Sequence, residues 1–276
     1  MTWTFGGRAV GRYRGNVTVH FSDLALAAAD AGPVPRVTVV QSAPDVDLDR
    51  FAEWLTGVDV RLVRADLGDP LPGPTEVGEG LLVLGGQMSA RDDEAAPWLR
   101  PLRDLLAVVS ATDVPALGIC LGAQLLAVAR GGRVEVAAPP GREAGVVDVR
   151  WRPEASSDAL VGPLVELAGA ARTSPLPSMH ADAVVDLPRG AVWLASSSTY
   201  PFQAFRIGSA WGVQFHPEAG AATMRAWADA NDDVDTGAVV EGMDARGDEI
   251  EAAGRALARA FVALVRERAA VRRVPA

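Results

Sequence analysis

The chain has 276 residues, 26 arginine and lysine side chains against 35 aspartate and glutamate, and a formal net charge of −9. That acidic balance argues against a protein that coats nucleic-acid phosphates, a task that needs clustered cations. Apolar residues make up 49% of the chain and charged residues 22%, enough to bury a full-sized core. No run approaches the roughly 18 consecutive apolar residues of a membrane helix, so a soluble, cytoplasmic protein is expected. One cysteine excludes an intramolecular disulfide framework, and with three histidines it leaves too few ligands for a Cys/His zinc site. Lysine is absent, so Schiff-base or general-base chemistry by lysine is excluded outright.

Residues 1–35 are polar and glycine-rich, with Gly6, Gly7, Gly11 and Gly15 among Arg8, Arg12 and Arg14, and end in Gly32-Pro33-Val34-Pro35. They read as a poorly ordered N-terminal extension that does no chemistry and holds at most a short helix over 23–31. A true start near Val34 or Val37 is the other reading. Asp23 and Asp30 interrupt residues 21–31, so no secretory signal is expected there, since one needs an uninterrupted apolar core. Residues 36–276 are expected to form one domain.

From Arg36 the pattern becomes regular. Val37-Thr38-Val39-Val40 is a β-branched run of the kind found in buried parallel strands. A helix is predicted over 47–55, with Phe51, Trp54 and Leu55 on one face, and a strand over 58–63. A Pro/Gly-rich loop over 66–80 leads to the apolar strand Gly80-Leu81-Leu82-Val83-Leu84, which ends at Gly85-Gly86. A helix over 98–112 precedes a fourth strand over 115–119. That strand runs straight into a helix over 121–130, stopped by Gly131-Gly132. The alternation predicts an α/β fold: a doubly wound, mostly parallel sheet with helices on both faces. Further strands are predicted over 133–136, 146–151, 192–196, 203–207 and 210–215. A long helix over 248–268 closes the chain, with Ile250, Leu257, Phe261 and Leu264 on one side.

The chemistry concentrates in Gly118-Ile119-Cys120-Leu121-Gly122-Ala123-Gln124, where a strand gives way to a helix. A nucleophile at such a turn is pushed clear of the sheet, and glycines two residues either side avoid collision with neighbouring backbone. The helix N-terminus favours a thiolate there. A thiolate nucleophile needs a proton shuttle and a group to orient it. His20, His180 and His216 are the available histidines. His216 follows the predicted strand over 210–215 in Gln214-Phe215-His216-Pro217-Glu218, and Glu218, past the rigid Pro217, can turn back to the imidazole. Gly85-Gly86 leaves backbone N–H groups open to a substrate oxygen. The N–H groups of Gly86 and Leu121 are therefore the candidate oxyanion hole.

These residues resemble the class I, or triad-type, glutamine amidotransferases. The stretches Gly85-Gly86-Gln87-Met88-Ser89-Ala90-Arg91-Asp92-Asp93 and Tyr200-Pro201-Phe202-Gln203-Ala204-Phe205 are similar to free-standing members that resemble the amidotransferase half of GMP synthase. The resemblance spans residues 36–276. It implies a flavodoxin-like fold with Cys120, His216 and Glu218 as triad and no cofactor or metal. Gln124 and His180-Ala181-Asp182 are implied to line a γ-glutamyl pocket beside Gly85. Two positions depart from common relatives: Ala181 stands where many have glycine and Met179 where a small polar residue is common. Both bear on how the α-amino and α-carboxylate groups of glutamine are held.

The expected activity is hydrolysis of the γ-amide of glutamine through a Cys120 thioester, with ammonia supplied to a separate synthetase. A stand-alone γ-glutamyl peptide or γ-glutamyl amine hydrolase would use the same triad but needs an open groove on the leaving-group side. A non-catalytic regulatory module would not require an intact triad. An α/β-hydrolase would carry G-x-S-x-G and place its acid before the histidine.

Overall fold

A computed structural model describes residues 33–273 of the chain. The extension over 1–35 with its helix over 23–31, and His20, therefore lie wholly or largely outside the described residues.

The first half of the domain alternates strand and helix. β1 (Arg36–Gln41) is followed by α1 (Phe51–Trp54), β2 (Asp59–Arg64), β3 (Gly80–Val83), α2 (Leu99–Val109), β4 (Ala116–Ile119) and α3 (Leu121–Ala129). The second half adds β5 (Arg133–Glu135), β6 (Glu143–Trp151), α4 (Gly162–Ala168), β7 (Thr173–His180), β8 (Ala183–Asp186), β9 (Val192–Ser196), β10 (Ala204–Ile207) and β11 (Ala210–Val213). Three helices close the described chain: α5 (Ala221–Asp229), α6 (Thr236–Ala245) and α7 (Gly247–Arg273).

Nine strands form one mixed sheet in the order β2-β1-β3-β4-β11-β10-β9-β6-β7, and β5 pairs with β8 apart from it. β2, β1, β3, β4 and β11 run parallel. β10, β9, β6 and β7 extend the sheet antiparallel. Alternation along the parallel strands feeds two cores, because successive side chains leave opposite faces of a strand. Val37, Val39, Leu82, Leu117 and Ile119 pack on one face with Trp54, Leu257 and Phe261 from α1 and α7. Val40, Leu81, Val83 and Ala116 pack on the other with Leu102, Leu106 and Leu125 from α2 and α3.

Several elements differ from the sequence expectation, each for a physical reason. The helix expected over 47–55 is confined to Phe51–Trp54. Asp49 sits in left-handed backbone at φ 39°, and its Oδ2 accepts the N–H of Gly220 and the hydroxyl of Thr223, both at 2.6 Å. The sequence does not signal β7, since Pro175 and Pro177 read as breakers. It is the outermost strand of the sheet, where a residue without an N–H can leave its outer side unpaired. The short strand expected over 133–136 ends at Glu135 and belongs to the separate two-stranded sheet. α4, α5 and α6 lack long apolar periodicity and are likewise not signalled. The closing helix extends to Arg273, and Val265 rather than Leu264 is fully buried along it.

Candidate active site

The three motifs meet because their strands are neighbours. β4 lies between β3 and β11, in parallel, so the C-terminal ends of all three open on the same edge of the sheet. The register pairs Val83 with Gly118 and Val213 with Ile119. Cys120 thus emerges between the Gly85-Gly86 loop and the His216 segment.

Cys120 alone joins β4 to α3, in a strained conformation with φ 50° and ψ −106°. Its N–H donates to the carbonyl of Val213 at 2.8 Å, and its own carbonyl accepts the N–H of Gln124 at 3.1 Å. The turn closes only because Gly118 and Gly122 carry no side chain. A Cβ on Gly122 would lie 2.2 Å from the carbonyl oxygen of Val83, and one on Gly118 would lie 2.4 Å from Gly122 backbone. Gly85 packs against the site itself, where a Cβ would sit 3.0 Å from Cε1 of His216.

His216 is buried, and its Nδ1–H donates to Oε1 of the equally buried Glu218 at 2.7 Å. The backbone on both sides is fixed: the N–H of His216 donates to the Pro177 carbonyl at 2.7 Å, and that of Arg50 to the Glu218 carbonyl at 3.2 Å. Trp227 packs on the imidazole with ring centroids 4.6 Å apart. Burial pulls the His216 pKa down, but the Glu218 carboxylate and the negative charge and hydrogen bonding of Cys120 outweigh it and push the pKa up to about 10. The environment therefore favours an imidazolium beside the sulfur.

The N–H groups of Gly86 and Leu121 have no acceptor among the described residues. The loop that carries Gly86 is tied down, since Nε2 of Gln87 donates to both carboxylate oxygens of Asp45, at 2.7 and 2.6 Å. Trp227 in turn donates from Nε1 to the Asp45 carbonyl at 3.0 Å.

A cavity of about 310 Å³ opens over Cys120 and His216, lined also by Gly86, Gln124, His180 and Asp182. Of the sequence-predicted residues, Gly85, Leu121 and Glu218 are not part of this lining. Gln124 is held by Nε2 donating to the Asp182 carbonyl at 3.0 Å and to Oε1 of Gln214 at 3.3 Å. His180 is committed on both ring nitrogens, Nδ1 facing the Asp182 carbonyl at 2.9 Å and Nε2 facing Glu143 at 3.2 Å.

Glu143 is the main residue that sequence reasoning missed. Its carboxylate accepts Ser197 Oγ at 2.5 Å and Gln203 Nε2 at 2.6 Å besides facing His180. Burial raises its pKa, but these hydrogen bonds and the His180 charge hold it below the ordinary value. Asp45, Arg142, Trp227 and Asn231, which also line the cavity, were missed too. The partners stand tens of residues apart, so no local spacing signals them. Among the described residues no group of three or more His, Cys, Asp or Glu is placed to hold a metal ion. No helix among them is long and apolar enough to cross a membrane.

A cysteine on a strained strand-to-helix turn, a buried His–Glu pair beside it and backbone N–H groups without an acceptor among the described residues are the arrangement that thiol-dependent acyl transfer needs, here on a doubly wound sheet. The glutamine amidotransferase class-I family model matches residues 55–227, and the chain belongs to that family. The chain is 34% identical over 165 residues to the glutamine-hydrolyzing GMP synthase subunit of Natronomonas pharaonis, covering 59% of this chain and 76% of that one. A glutamine amidotransferase from Thermotoga maritima superimposes with a TM-score of 0.72 at 26% identity, covering 83% of this chain and 99% of that one. A glutamine amidotransferase from Methylobacillus flagellatus gives a TM-score of 0.71 at 26% identity, covering 84% and 96%.

Proposed function

We propose that this chain hydrolyses the γ-amide of glutamine through a thioester on Cys120 and supplies the ammonia to a separate synthetase in the cytoplasm. The observation that carries the reading is the 2.7 Å His216–Glu218 pair, buried behind a thiol that faces a cavity. Membership of the class-I amidotransferase family and similarity to a glutamine-hydrolyzing GMP synthase subunit support it.

The Cys120 thiolate adds to the γ-carbonyl carbon, and the developing oxyanion is met by the N–H groups of Gly86 and Leu121. Because those groups have no other acceptor among the described residues, they need no reorganisation to stabilise that charge. The imidazolium of His216 gives its proton to the amide nitrogen as the C–N bond breaks, and ammonia leaves. His216, now neutral, takes a proton from water as the oxygen attacks the thioester. Collapse expels glutamate and restores the thiolate, with the carboxyl proton passing to solvent. Glu218 holds the ring orientation and balances the imidazolium through both halves. Gln124, His180 and Asp182 line the pocket for the glutamyl group.

The test is ammonia release from glutamine by the purified chain, alone and with a synthetase encoded beside it. Release that disappears in Cys120→Ala is the expected result. Inertness toward glutamine under both conditions, with amine released from γ-glutamyl amines, would overturn the reading.

A further inference from the structure

The 179–182 segment lines the cavity with Met179 and Ala181, whose side chains offer a carboxylate no donor, and its His180 has both ring nitrogens engaged. A carboxylate that leaves water for this cavity, beside Asp45 and Asp182, needs a cation. The His216 ring in that lining is committed to Glu218 and the sulfur, and the one arginine of the described lining is Arg142.

Arg142 precedes β6, and its side chain is 25% exposed. Only its Nε is engaged, donating to the Asp233 carboxylate at 3.1 and 3.0 Å. Neither terminal nitrogen of the guanidinium has a hydrogen-bond partner among the described residues. Asp233 stands in the connection between α5 and α6, and two residues of that connection, Ala230 and Asn231, line the same cavity. Asn231 is anchored by its Nδ2 donating to the carbonyl of Trp227 at 2.8 Å. Asp233 thus restrains the guanidinium through one edge and leaves the forked face unpaired, the geometry that a carboxylate fills with two parallel hydrogen bonds.

We propose that Arg142 is a specificity-determining residue that binds the α-carboxylate of the substrate, with Asp233 as its positioning residue. This rests on the glutamine reading above and narrows it to free glutamine or γ-glutamyl compounds with an unmodified α-carboxylate. Glutamine inside a peptide chain, which lacks that group, is excluded.

The experiment measures covalent labelling of Cys120, the only thiol in the chain, and needs no turnover. Two reagents are compared: the γ-diazomethyl ketone analogue of glutamine, which has an α-carboxylate, and iodoacetamide, which has none. Arg142→Gln should slow labelling by the analogue about 10- to 100-fold, the range for one lost charge-assisted pair. Its iodoacetamide rate should be unchanged. Arg142→Lys should recover part of the lost rate, and Asp233→Asn should lose part of it, again only with the analogue. Equal labelling of wild type and Arg142→Gln by the analogue would overturn the proposal. So would a parallel fall with both reagents in the Gln and Lys variants, or a wild type that reacts with iodoacetamide but not with the analogue. A wild type that is labelled in an Arg142-dependent way yet releases no ammonia would sink the hydrolase reading while leaving this inference standing.

Discussion

The imidazole of His216 donates from Nδ1 to Glu218 Oε1 at 2.7 Å, while the second carboxylate oxygen, Oε2, is buried without a partner among the described residues. His216 is therefore the side chain that offsets the Glu218 charge, and the two residues act as one unit in both catalysis and stability.

That coupling has a pH signature. The folded-state pKa of His216 is pushed up to about 10 from an ordinary value of 6.5. Folding thus favours the protonated ring, so the stabilisation is complete below about pH 6.5 and fades as pH rises through the raised value. Denaturation midpoints should fall between neutral and strongly alkaline pH, and Glu218→Gln should flatten that slope. Because the carboxylate also supports the imidazolium during reaction, kcat of Glu218→Gln should drop, though by less than in His216→Ala. Wild-type turnover by Glu218→Gln would reduce the site to a Cys–His dyad.

Cys120 carries backbone strain at the turn from β4 to α3. At φ 50° and ψ −106°, the position suits glycine better than any L side chain. Cys120→Ala and Cys120→Gly should both lose activity by several orders of magnitude. Cys120→Gly should have the higher melting temperature of the two, by the equivalent of about 1 kcal/mol. Calorimetry on the pair separates the cost of the turn from the role of the sulfur.

Gly122→Ala should be among the more damaging single-methyl changes in the domain. Its Cβ would lie 2.2 Å from a carbonyl oxygen on β3, and neither backbone can retreat without breaking the β3–β4 pairing. A loss of about 3 kcal/mol is expected in urea denaturation. Gly247→Ala, whose Cβ would meet nothing within 4 Å, should leave stability unchanged or slightly raised.

Glu143→Gln tests the buried network beneath the pocket. The change keeps the shape but removes the charge that faces His180 and accepts Ser197 and Gln203. A destabilisation of about 2 kcal/mol is expected, since the amide cannot replace every hydrogen bond the carboxylate accepts and leaves a buried donor unpaired. KM for glutamine should rise more than kcat falls, because His180 lines the pocket without touching the thiol's proton shuttle. An unchanged melting temperature and KM would make Glu143 a dispensable buried polar residue.

Local features of the molecule are legible in the order of its residues. Glycines flanking Cys120 at the end of an apolar strand specify a tight strand-to-helix turn, because each close approach involves backbone within a few residues or on the next strand. The β-branched run Val37–Val40 and the continuous apolar run Leu81–Leu84 likewise specify strands buried on both faces, and His-Pro-Glu places a carboxylate within reach of its own imidazole. Relationships between distant residues depend instead on how the elements pack. Pro175 and Pro177 forbid a central strand but not an outermost one, and only sheet order says which β7 is. Glu143 lies before the strand expected over 146–151 and carries no local signal; β6, β7 and β9 bring His180 and Ser197 onto it from 37 and 54 residues away. Arg142 and Asp233 are 91 residues apart, and their pairing depends on where α5 and α6 pack. Local geometry is written in short-range sterics and periodicity, whereas the pocket wall is assembled by contacts that no short window of sequence contains.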